Sequence, residues 1–438
     1  MSKLALSVYN LAWGIVLPLL RRNVRLADGF DERTLKTRLP KADIWIQAAS
    51  AGESYLARTL LETLKPVRPI QALITTNTRQ GFDILQQAAM DLNGKNHIVR
   101  VLSAYFPFDR PAIMEKAVAQ VRPKLMITLE SEIWPGLFAE LKKTGVRTLI
   151  LNGRMTEKSL RRYRWYPGLW RSLSPDRVLA ISRADANRFA SLFGDERVQV
   201  MPNIKFDRIA ISGPATDIDT PLNAIIDRGQ RFLALGSIRR EEESAVLNII
   251  SSVLARRKDV VIGLFPRHME RLAAWGDHLT KRGIPWTRRS EMASQASIGS
   301  IILWDVFGEL SAAYNMAQAA FIGGSLAPLG GQNFLEPLMC GISPVIGPHW
   351  ENFKWVGEEI VSTGMVREAK DWKQAADMLA TSLDAPASRS QIRQAASAFL
   401  KNRQGGTLQA CRLINRCLSG DRQWPTGNGR SPGIAADA

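Results

Sequence analysis

Residues 319–337 read A-A-F-I-G-G-S-L-A-P-L-G-G-Q-N-F-L-E-P, and no other segment says more about the fold. The pattern predicts a short apolar strand at 320–322, a glycine-rich loop, and an apolar helix that begins near Asn333 and Glu336. A second predicted strand, at 344–346, ends at another Gly-Pro. This order of strand, loop, helix and strand is typical of a βαβ unit in a parallel sheet.

The glycine-rich loop of this segment indicates an anion-binding site. Glycines after a strand let backbone amides approach a phosphate, and the following helix N-terminus favours negative charge. Glu336, one turn into the helix, would accept hydrogen bonds from ribose hydroxyls. The same pattern also fits a βαβ corner without a ligand, in which Glu336 is only an acid at the start of a helix.

Continuous apolar runs of four to six residues alternate with helical patterns along most of the chain. The predicted strands are 44–49, 71–75, 125–129, 148–151, 178–181 and 198–201, then 232–235, 260–265, 301–304, 320–322 and 344–346. Such runs indicate parallel sheets that are covered on both faces. We therefore predict an α/β protein with two doubly wound parallel-sheet domains that face a cleft, where ligands bind at the carboxyl ends of the strands.

A polar segment rich in turn residues, 213–219, interrupts this pattern and predicts the domain boundary. The expected parts are a membrane-associating segment at 1–25, a first domain at 26–212, a linker at 213–222, a second domain at 223–418 and a loose tail at 419–438. In the alternative, the last helices cross back to the first domain. Asp217 and Asp219 have a D-x-D spacing, but their place in a polar linker favours a solvated loop over a metal site.

Composition and charge narrow the possible partners. The chain has 438 residues, with 58 Lys and Arg against 41 Asp and Glu, for a net charge of +17. This excess predicts an anionic partner such as a phosphorylated substrate or a membrane surface. No basic run with interleaved aromatic residues marks a nucleic-acid-binding module. The three cysteines have no metal-ligand spacing, so we predict no metal site. We also predict that the protein needs no cofactor and that it is found in a reducing compartment.

The N-terminal segment 4–20 is almost wholly apolar, and Arg21, Arg22 and Arg25 follow it. A secretory signal would carry its charges before the apolar run and end in a cleavage site. The segment is short for a membrane span, which takes about 20 residues. We predict a helix that associates with the membrane from the cytoplasmic side, either in the interface or as a single marginal anchor. The alternative is a buried first helix of the domain.

Four charged residues of the first domain follow predicted strands. Glu53 lies at a strand-to-helix turn, where it would act as a general base toward a sugar hydroxyl or serve only as a helix-start acid. Glu130 and Glu132 flank Ser131 after a strand, as site residues or as surface acids. Lys205 would approach a departing phosphate as a compact charge, or be simply solvated.

In the second domain, polar and aromatic residues again follow strands. Pro266 and Arg267 come after the strand at 260–265, and arginine binds phosphate in a bidentate manner. Phe307, Gly308 and Glu309 precede a predicted helix whose amides would meet a phosphate or a base.

Nine segments in this order resemble the transferases of 3-deoxy-D-manno-octulosonic acid (Kdo) in lipopolysaccharide assembly. They are A-S-A-G-E (49–53), T-L-E-S-E-I-W-P (128–135), N-G-R-M-T-E-K-S (152–159), N-I-K-F-D (203–207), L-G-S (235–237), F-P-R-H-M-E-R (265–271), D-V-F-G-E-L (305–310), the 321–337 segment and G-P-H-W-E-N-F (347–353). The resemblance covers most of the chain.

The resemblance implies a GT-B fold and an inverting transfer of Kdo from CMP-Kdo to the lipid A precursor lipid IVA, at the inner face of the cytoplasmic membrane. Glu53 matches the family's general base, and Glu130 and Lys205 match residues that stabilise the transition state. The implied CMP-binding residues are Pro266, Arg267, Phe307, Gly308, Glu309, Asn333, Phe334, Leu335 and Glu336. The implied partners are the donor, the acceptor and the membrane, without a metal or nucleic acid.

The chain departs from the family pattern at several positions. Gln332 stands where the family commonly has histidine, and Arg239 and Arg240 follow L-G-S where a histidine is usual. Glutamine forms hydrogen bonds but does not titrate, so a proton-transfer role at 332 is in doubt. The alternatives are a GT-B enzyme with a uridine donor, a sugar-nucleotide epimerase, and a membrane-surface protein that has lost catalysis.

Overall fold

The computed structural model describes residues 3–21, 23–94, 98–209, 221–227 and 229–420. Most of the predicted linker, including Asp217 and Asp219, and most of the predicted tail lie outside the described residues. The chain divides into two compact units, residues 1–209 with 402–438 and residues 210–401.

The first unit is built on a parallel seven-stranded sheet with the order β3-β2-β1-β4-β5-β6-β7. Its strands are β1 (Ile44–Gln47), β2 (Ile70–Thr76), β3 (Val99–Tyr105), β4 (Leu125–Leu129), β5 (Arg147–Gly153), β6 (Arg177–Ala180) and β7 (Val198–Val200). The apolar runs predicted all of these strands except β3. That strand lies at the edge of the sheet and alternates buried and exposed residues at its start, so it lacks the continuous apolar run of a central strand.

Helices cover both faces of this sheet. They are α1 (Lys3–Leu20), α2 (Val24–Ala27), α3 (Phe30–Arg33), α4 (Ala51–Thr63), α5 (Arg79–Asn93), α6 (Pro111–Val121), α7 (Pro135–Thr144), α8 (Glu157–Tyr163), α9 (Pro167–Ser172), α10 (Arg183–Phe193) and α11 (Ile204–Asp207). Side chains alternate between the faces along each strand. Trp45 therefore packs with the helices of one face, and Ile44 and Ile46 pack in a second cluster on the other.

The second unit has a parallel seven-stranded sheet with the order β10-β11-β9-β8-β12-β13-β14. Its strands are β8 (Arg231–Ile238), β9 (Val260–Pro266), β10 (Trp286–Arg288), β11 (Ile301–Leu303), β12 (Ala319–Ile322), β13 (Val345–Ile346) and β14 (Arg367–Glu368). Its helices are α12 (Glu243–Arg256), α13 (Leu272–Lys281), α14 (Leu310–Met316), α15 (Leu335–Met339), α16 (Glu359–Ser362), α17 (Trp372–Asp384) and α18 (Arg389–Lys401). The predicted α/β class with two parallel sheets is therefore confirmed.

The last helix, α19 (Gly406–Leu418), belongs to the first unit. The assignment of 223–418 to one domain is thus wrong at its C-terminal end, and the alternative of a helix that crosses back holds for α19. The cause is an apolar stripe: Ala410 and Ile414 are fully buried in the cluster that contains Ile44. Asp207 fixes the start of the helix, because its carboxylate accepts the N–H groups of Gly405 and Thr407, each at 2.6 Å.

Helix α1 packs on the first unit through one face only. The Tyr9 hydroxyl donates to Asp109 at 2.9 Å, and the Trp13 ring lies 5.8 Å from that of Phe108. On the opposite face, Leu11 and Ile15 are 70% and 68% exposed. The helix therefore differs from the alternative of a fully buried first helix. In the described ranges, no helix combines the length and apolar character needed to cross a membrane.

Candidate active site

The predicted acids of the first unit lie where the strand order of its sheet reverses. Strands β1 and β4 are neighbours, and the chain leaves them toward opposite edges of the sheet. Glu53 follows β1, and Glu130 and Glu132 follow β4. In open parallel sheets this switch point is where ligands bind, at the carboxyl ends of the strands. The three acids therefore lie at the expected position for a site.

Glu53 is a helix-start acid and is also buried, with 8% of its surface exposed. One carboxylate oxygen accepts the Ala49 N–H at 2.8 Å, and the other accepts the Ser50 hydroxyl at 3.0 Å. Ser50 in turn caps α4 by accepting the Glu53 N–H. These contacts fix the carboxylate at the end of β1, so the two sequence interpretations of Glu53 are compatible.

Burial raises the pKa of Glu53 to about 8, and the negative charges of Glu132 and Glu130 add to this effect. The hydrogen bonds from Ala49 and Ser50 act in the opposite direction but do not offset the loss of hydration. A carboxylate with a pKa near neutral pH is suited to accept a proton in catalysis.

Glu130 and Lys205 form an ion pair with 2.7 Å between Oε1 and Nζ. Both side chains are about one-fifth exposed, so the pair remains open to a ligand. Glu130 adopts a left-handed backbone with φ of 53°, which costs about 1–3 kcal/mol for a residue other than glycine. Such strain is commonly found at functional sites. The two residues, 75 positions apart in sequence, are thus brought together by the fold.

The loop that carries Glu130 and Glu132 is fixed by Asp109 at the start of α7. The Asp109 carboxylate accepts the N–H groups of Gly136 at 2.8 Å and Leu137 at 2.7 Å. Position 136 is glycine because a Cβ atom there would lie 2.4 Å from the backbone oxygen of Asp109. Burial raises the pKa of Glu132 to about 7, and Glu130 contributes to the shift.

Asn152 links two of the quoted segments and was not singled out from the sequence. It is fully buried with a left-handed φ of 54°, and its side-chain oxygen accepts the Ile204 N–H at 2.9 Å. Asn203 accepts the Lys205 N–H at 3.0 Å. The asparagines of N-G-R and N-I-K-F-D therefore position Lys205. Asparagine tolerates the left-handed region, which is the only local signal for this role.

In the second unit, three amides of the glycine-rich loop after β12 are not free to bind a phosphate, contrary to the prediction from the sequence. The N–H groups of Gly324, Ser325 and Leu326 all donate to the carboxylate of Glu242, the last two at 3.3 Å. Glu242 also accepts the Arg239 N–H at 2.9 Å and is 2% exposed. Burial raises its pKa although these four amides lower it. These loop amides are therefore already bound to a carboxylate of the protein.

The residues after β9 and β11 differ in how free their side chains are. Pro266 is buried and Arg267 is exposed; within the described ranges the Arg267 guanidinium has no partner. Phe307 is 80% exposed, and Gly308 takes a φ of 87°. Glu309 is already engaged by other side chains. Its carboxylate accepts two bonds from Arg289, at 2.9 and 3.0 Å, and one from Trp304 at 2.9 Å.

The predicted nucleotide segment 333–336 combines exposed and buried side chains. Asn333 is exposed and its side-chain oxygen accepts the Leu335 N–H at 3.1 Å, at the start of α15. Phe334 is fully buried, with its ring 5.1 Å from that of Phe353. Glu336 is partly buried, and burial raises its pKa. Asn333 and Glu336 therefore remain candidates for side-chain contacts, whereas Phe334 and Leu335 contribute to the core.

Comparison with known proteins finds similarity to one family of transferases. A family model of 3-deoxy-D-manno-octulosonic-acid transferases matches residues 28–208, which include Glu53, Glu130 and Lys205. The 3-deoxy-D-manno-octulosonic acid transferase of Bordetella pertussis is 28% identical over 372 residues, which are 84% of this chain and 85% of that protein. The chain therefore carries a domain of the Kdo transferase family at residues 28–208 and is similar to known Kdo transferases over most of its length. These matches indicate that it is a glycosyltransferase.

Solved structures support the GT-B fold of the chain. A glycosyltransferase from Rickettsia africae has a TM-score of 0.53 at 11% identity, covering 87% of this chain and all of that one (100%). The UDP-GlcNAc 2-epimerase of Neisseria meningitidis has a TM-score of 0.51 at 10% identity, covering 86% and 100%. At this identity the likeness concerns the fold alone. Because a transferase and an epimerase share the fold, architecture alone does not identify the reaction.

Proposed function

We propose that the protein transfers Kdo from CMP-Kdo to the lipid A precursor lipid IVA, with inversion at the anomeric carbon. The observation that carries this proposal is the buried Glu53 carboxylate at the switch point of the first sheet, with a pKa of about 8. The similarity of the chain to Kdo transferases supports the donor sugar. The net charge of +17 suits a reaction whose donor and acceptor are both anionic.

In the proposed reaction, Glu53 removes the proton from an acceptor hydroxyl as that oxygen attacks the anomeric carbon of Kdo. The bond from this carbon to the phosphate oxygen breaks, and CMP leaves with the electron pair. A carboxylate such as Glu130 stabilises positive charge at the anomeric carbon. Lys205 supplies a compact cation for developing negative charge. CMP leaves as a phosphate monoester, so basic side chains and amides suffice for this charge without a metal.

The second unit would bind the nucleotide of the donor. Arg267 is exposed and suited to bidentate contact with a phosphate. The exposed ring of Phe307 offers a surface for stacking on the cytosine base. Glu336 would accept hydrogen bonds from ribose hydroxyls, and the protein's own Glu242 holds the neighbouring loop in place of a ligand.

A donor screen separates this proposal from its alternatives. The purified protein is incubated with lipid IVA and either CMP-Kdo or uridine diphosphate sugars, and the release of CMP and UDP is measured. We expect CMP release that depends on the acceptor. UDP release with a transferred sugar would favour a uridine-dependent transferase. Interconversion of a nucleotide sugar without transfer would favour an epimerase, and no reaction with any donor would favour a member that has lost catalysis.

We propose further that the protein acts at the cytoplasmic face of the inner membrane. The support is the exposed apolar face of α1, with Leu11 and Ile15 about two-thirds exposed or more. Removal of residues 1–22 should weaken association with membranes more than folding, because α1 contacts the unit through one face only. An insoluble or unfolded truncated protein would contradict this, since α1 would then be a required part of the fold.

A further inference from the structure

The turn between α8 and α9 exposes two large aromatic side chains in succession. Trp165 is 79% exposed and Tyr166 is 67% exposed, although both are large rings that proteins usually bury at least in part. The helices on either side of the turn pack against each other. Tyr163, at the end of α8, packs edge-on against Trp170, with 4.8 Å between the ring centroids. The exposed rings therefore extend from a well-packed pair of helices.

Three arginines precede these rings in the sequence. Arg161, Arg162 and Arg164 are all exposed, and in the described part of the chain their guanidinium groups form no hydrogen bond or salt bridge. The nearby acid Glu157 is engaged by Arg188 at 2.7 Å. Residues 161–166, R-R-Y-R-W-Y, interleave basic and aromatic residues, contrary to the expectation from the sequence, and are called here the aromatic–basic turn. The turn combines amphipathic rings with an excess of positive charge that Glu157 offsets only in part.

The chemistry of the aromatic–basic turn matches the surface of an anionic bilayer. Tryptophan and tyrosine are enriched at the depth of lipid headgroups, where one part of the ring is apolar and another meets water. Arginine binds phosphate through a bidentate fork. Tyr163 and Leu6 of α1 also pack on one cluster, so α1 and this turn belong to the same face of the first sheet.

We propose that the aromatic–basic turn is a second membrane contact, in which Trp165 and Tyr166 enter the headgroup region and the three arginines bind lipid phosphates. This inference rests on the proposed function at a membrane surface and adds a contact to that of α1. Charge complementarity favours an anionic lipid surface over a protein partner as the occupant, because the three arginines outnumber Glu157, whose charge is also shared with Arg188.

The test compares two double variants of the full chain that change the net charge equally. Arg161→Ala/Arg164→Ala removes two cations of the turn. Arg412→Ala/Arg416→Ala removes two exposed cations of α19, which covers the opposite face of the sheet. Binding to vesicles of phosphatidylglycerol and phosphatidylcholine is measured by co-sedimentation. Each cation near an anionic surface contributes about fivefold, so the first variant should bind about 25-fold more weakly and the second nearly normally.

A second arm tests insertion of the rings. Trp165→Ala/Tyr166→Ala should weaken binding to the same vesicles, and quenching of protein fluorescence by brominated lipid should fall in this variant. Equal losses in the two arginine variants would overturn the proposal, as would unchanged vesicle binding in all of them. The second result would assign the turn to a protein partner instead. None of these measurements uses CMP-Kdo, so failure of the proposed transfer reaction would be seen separately.

Discussion

Glu53 is the residue whose replacement should separate catalysis from donor binding. Glu53→Gln keeps the side-chain shape and one acceptor oxygen for the Ala49 N–H, but it removes the proton acceptor. We expect the transfer rate to fall by about 10²- to 10⁴-fold, with CMP-Kdo affinity nearly unchanged. The matched control is Glu140→Gln, because Glu140 is also 8% exposed but pairs with Lys143 on α7. Equal loss of rate and donor affinity in Glu53→Gln would mean that Glu53 is structural.

The pH dependence follows from the same carboxylate. A base must be deprotonated, so with a pKa of about 8 for Glu53 the rate should rise as pH rises through this value. A rate that is already constant from pH 6 upward would contradict the assignment.

Stability should change with pH in the opposite direction. The folded pKa of Glu53 lies above its ordinary value of 4.5, so the folded state holds the proton more tightly than the unfolded state. Stability is then lost as pH rises toward 8. Glu53→Gln removes this cost, and we expect its free energy of unfolding at alkaline pH to exceed that of the wild type by about 2 kcal/mol, so that it unfolds at a higher temperature. A thermal shift that is independent of pH would contradict this expectation.

At the residue scale, the sequence predicted where the acids lie but not what surrounds them. Glu53 and Glu130 follow apolar runs, and this local pattern was sufficient to select them. The contact between Glu130 and Lys205 joins positions far apart in sequence, and the balance of burial against helix-start hydrogen bonds at Glu53 depends on the packed site. Neither is encoded in a local pattern, so both required the folded structure.

At the element scale, the loop after β12 depends on Glu242. A carboxylate accepts three loop amides here, and a buried amide that loses its acceptor costs about 1–3 kcal/mol. Glu242→Gln leaves one oxygen to accept them. We expect CMP to bind about tenfold more weakly to this variant, since its loop would lose a fixed conformation.

The neighbouring acid provides the control for this loop. Glu243 is 6% exposed, but its carboxylate pairs with Arg271 at 2.7 and 2.9 Å rather than with the loop. Glu243→Gln should therefore lower thermal stability without a comparable change in CMP affinity. The same CMP affinity in both variants would show that Glu242 does not position the nucleotide loop.

The predictability of each element follows from its place in the sheet. Central strands such as β1 and β4 are buried on both faces, and their apolar runs identified them. The edge strands β3, β10 and β14 are partly exposed and short or mixed in sequence, and they were missed. The edge strand β7 is also short and partly exposed, but its V-Q-V-M run was sufficient to predict it. The glycines after β12 were recognised, but the sequence did not indicate that a distant glutamate occupies their amides.

At the scale of the whole molecule, the similarity to Kdo transferases extends over most of the chain, and each of the two units is built on its own parallel sheet. The predicted boundary near 213 separates the two sheets, but the return of α19 to the first unit depends on a long-range fit of its apolar stripe. The fold alone is shared with an epimerase, so the reaction depends on individual side chains. Glu53 is the side chain on which the proposed transfer depends most.

The most direct measurement is the mass of the lipid product after incubation of the protein with CMP-Kdo and lipid IVA. We expect the wild type to add Kdo to the lipid and to release an equal amount of CMP, and Glu53→Gln to form almost no product while it still binds the donor. Unchanged lipid in the presence of folded wild-type protein, or full product formation by Glu53→Gln, would contradict the proposed reaction.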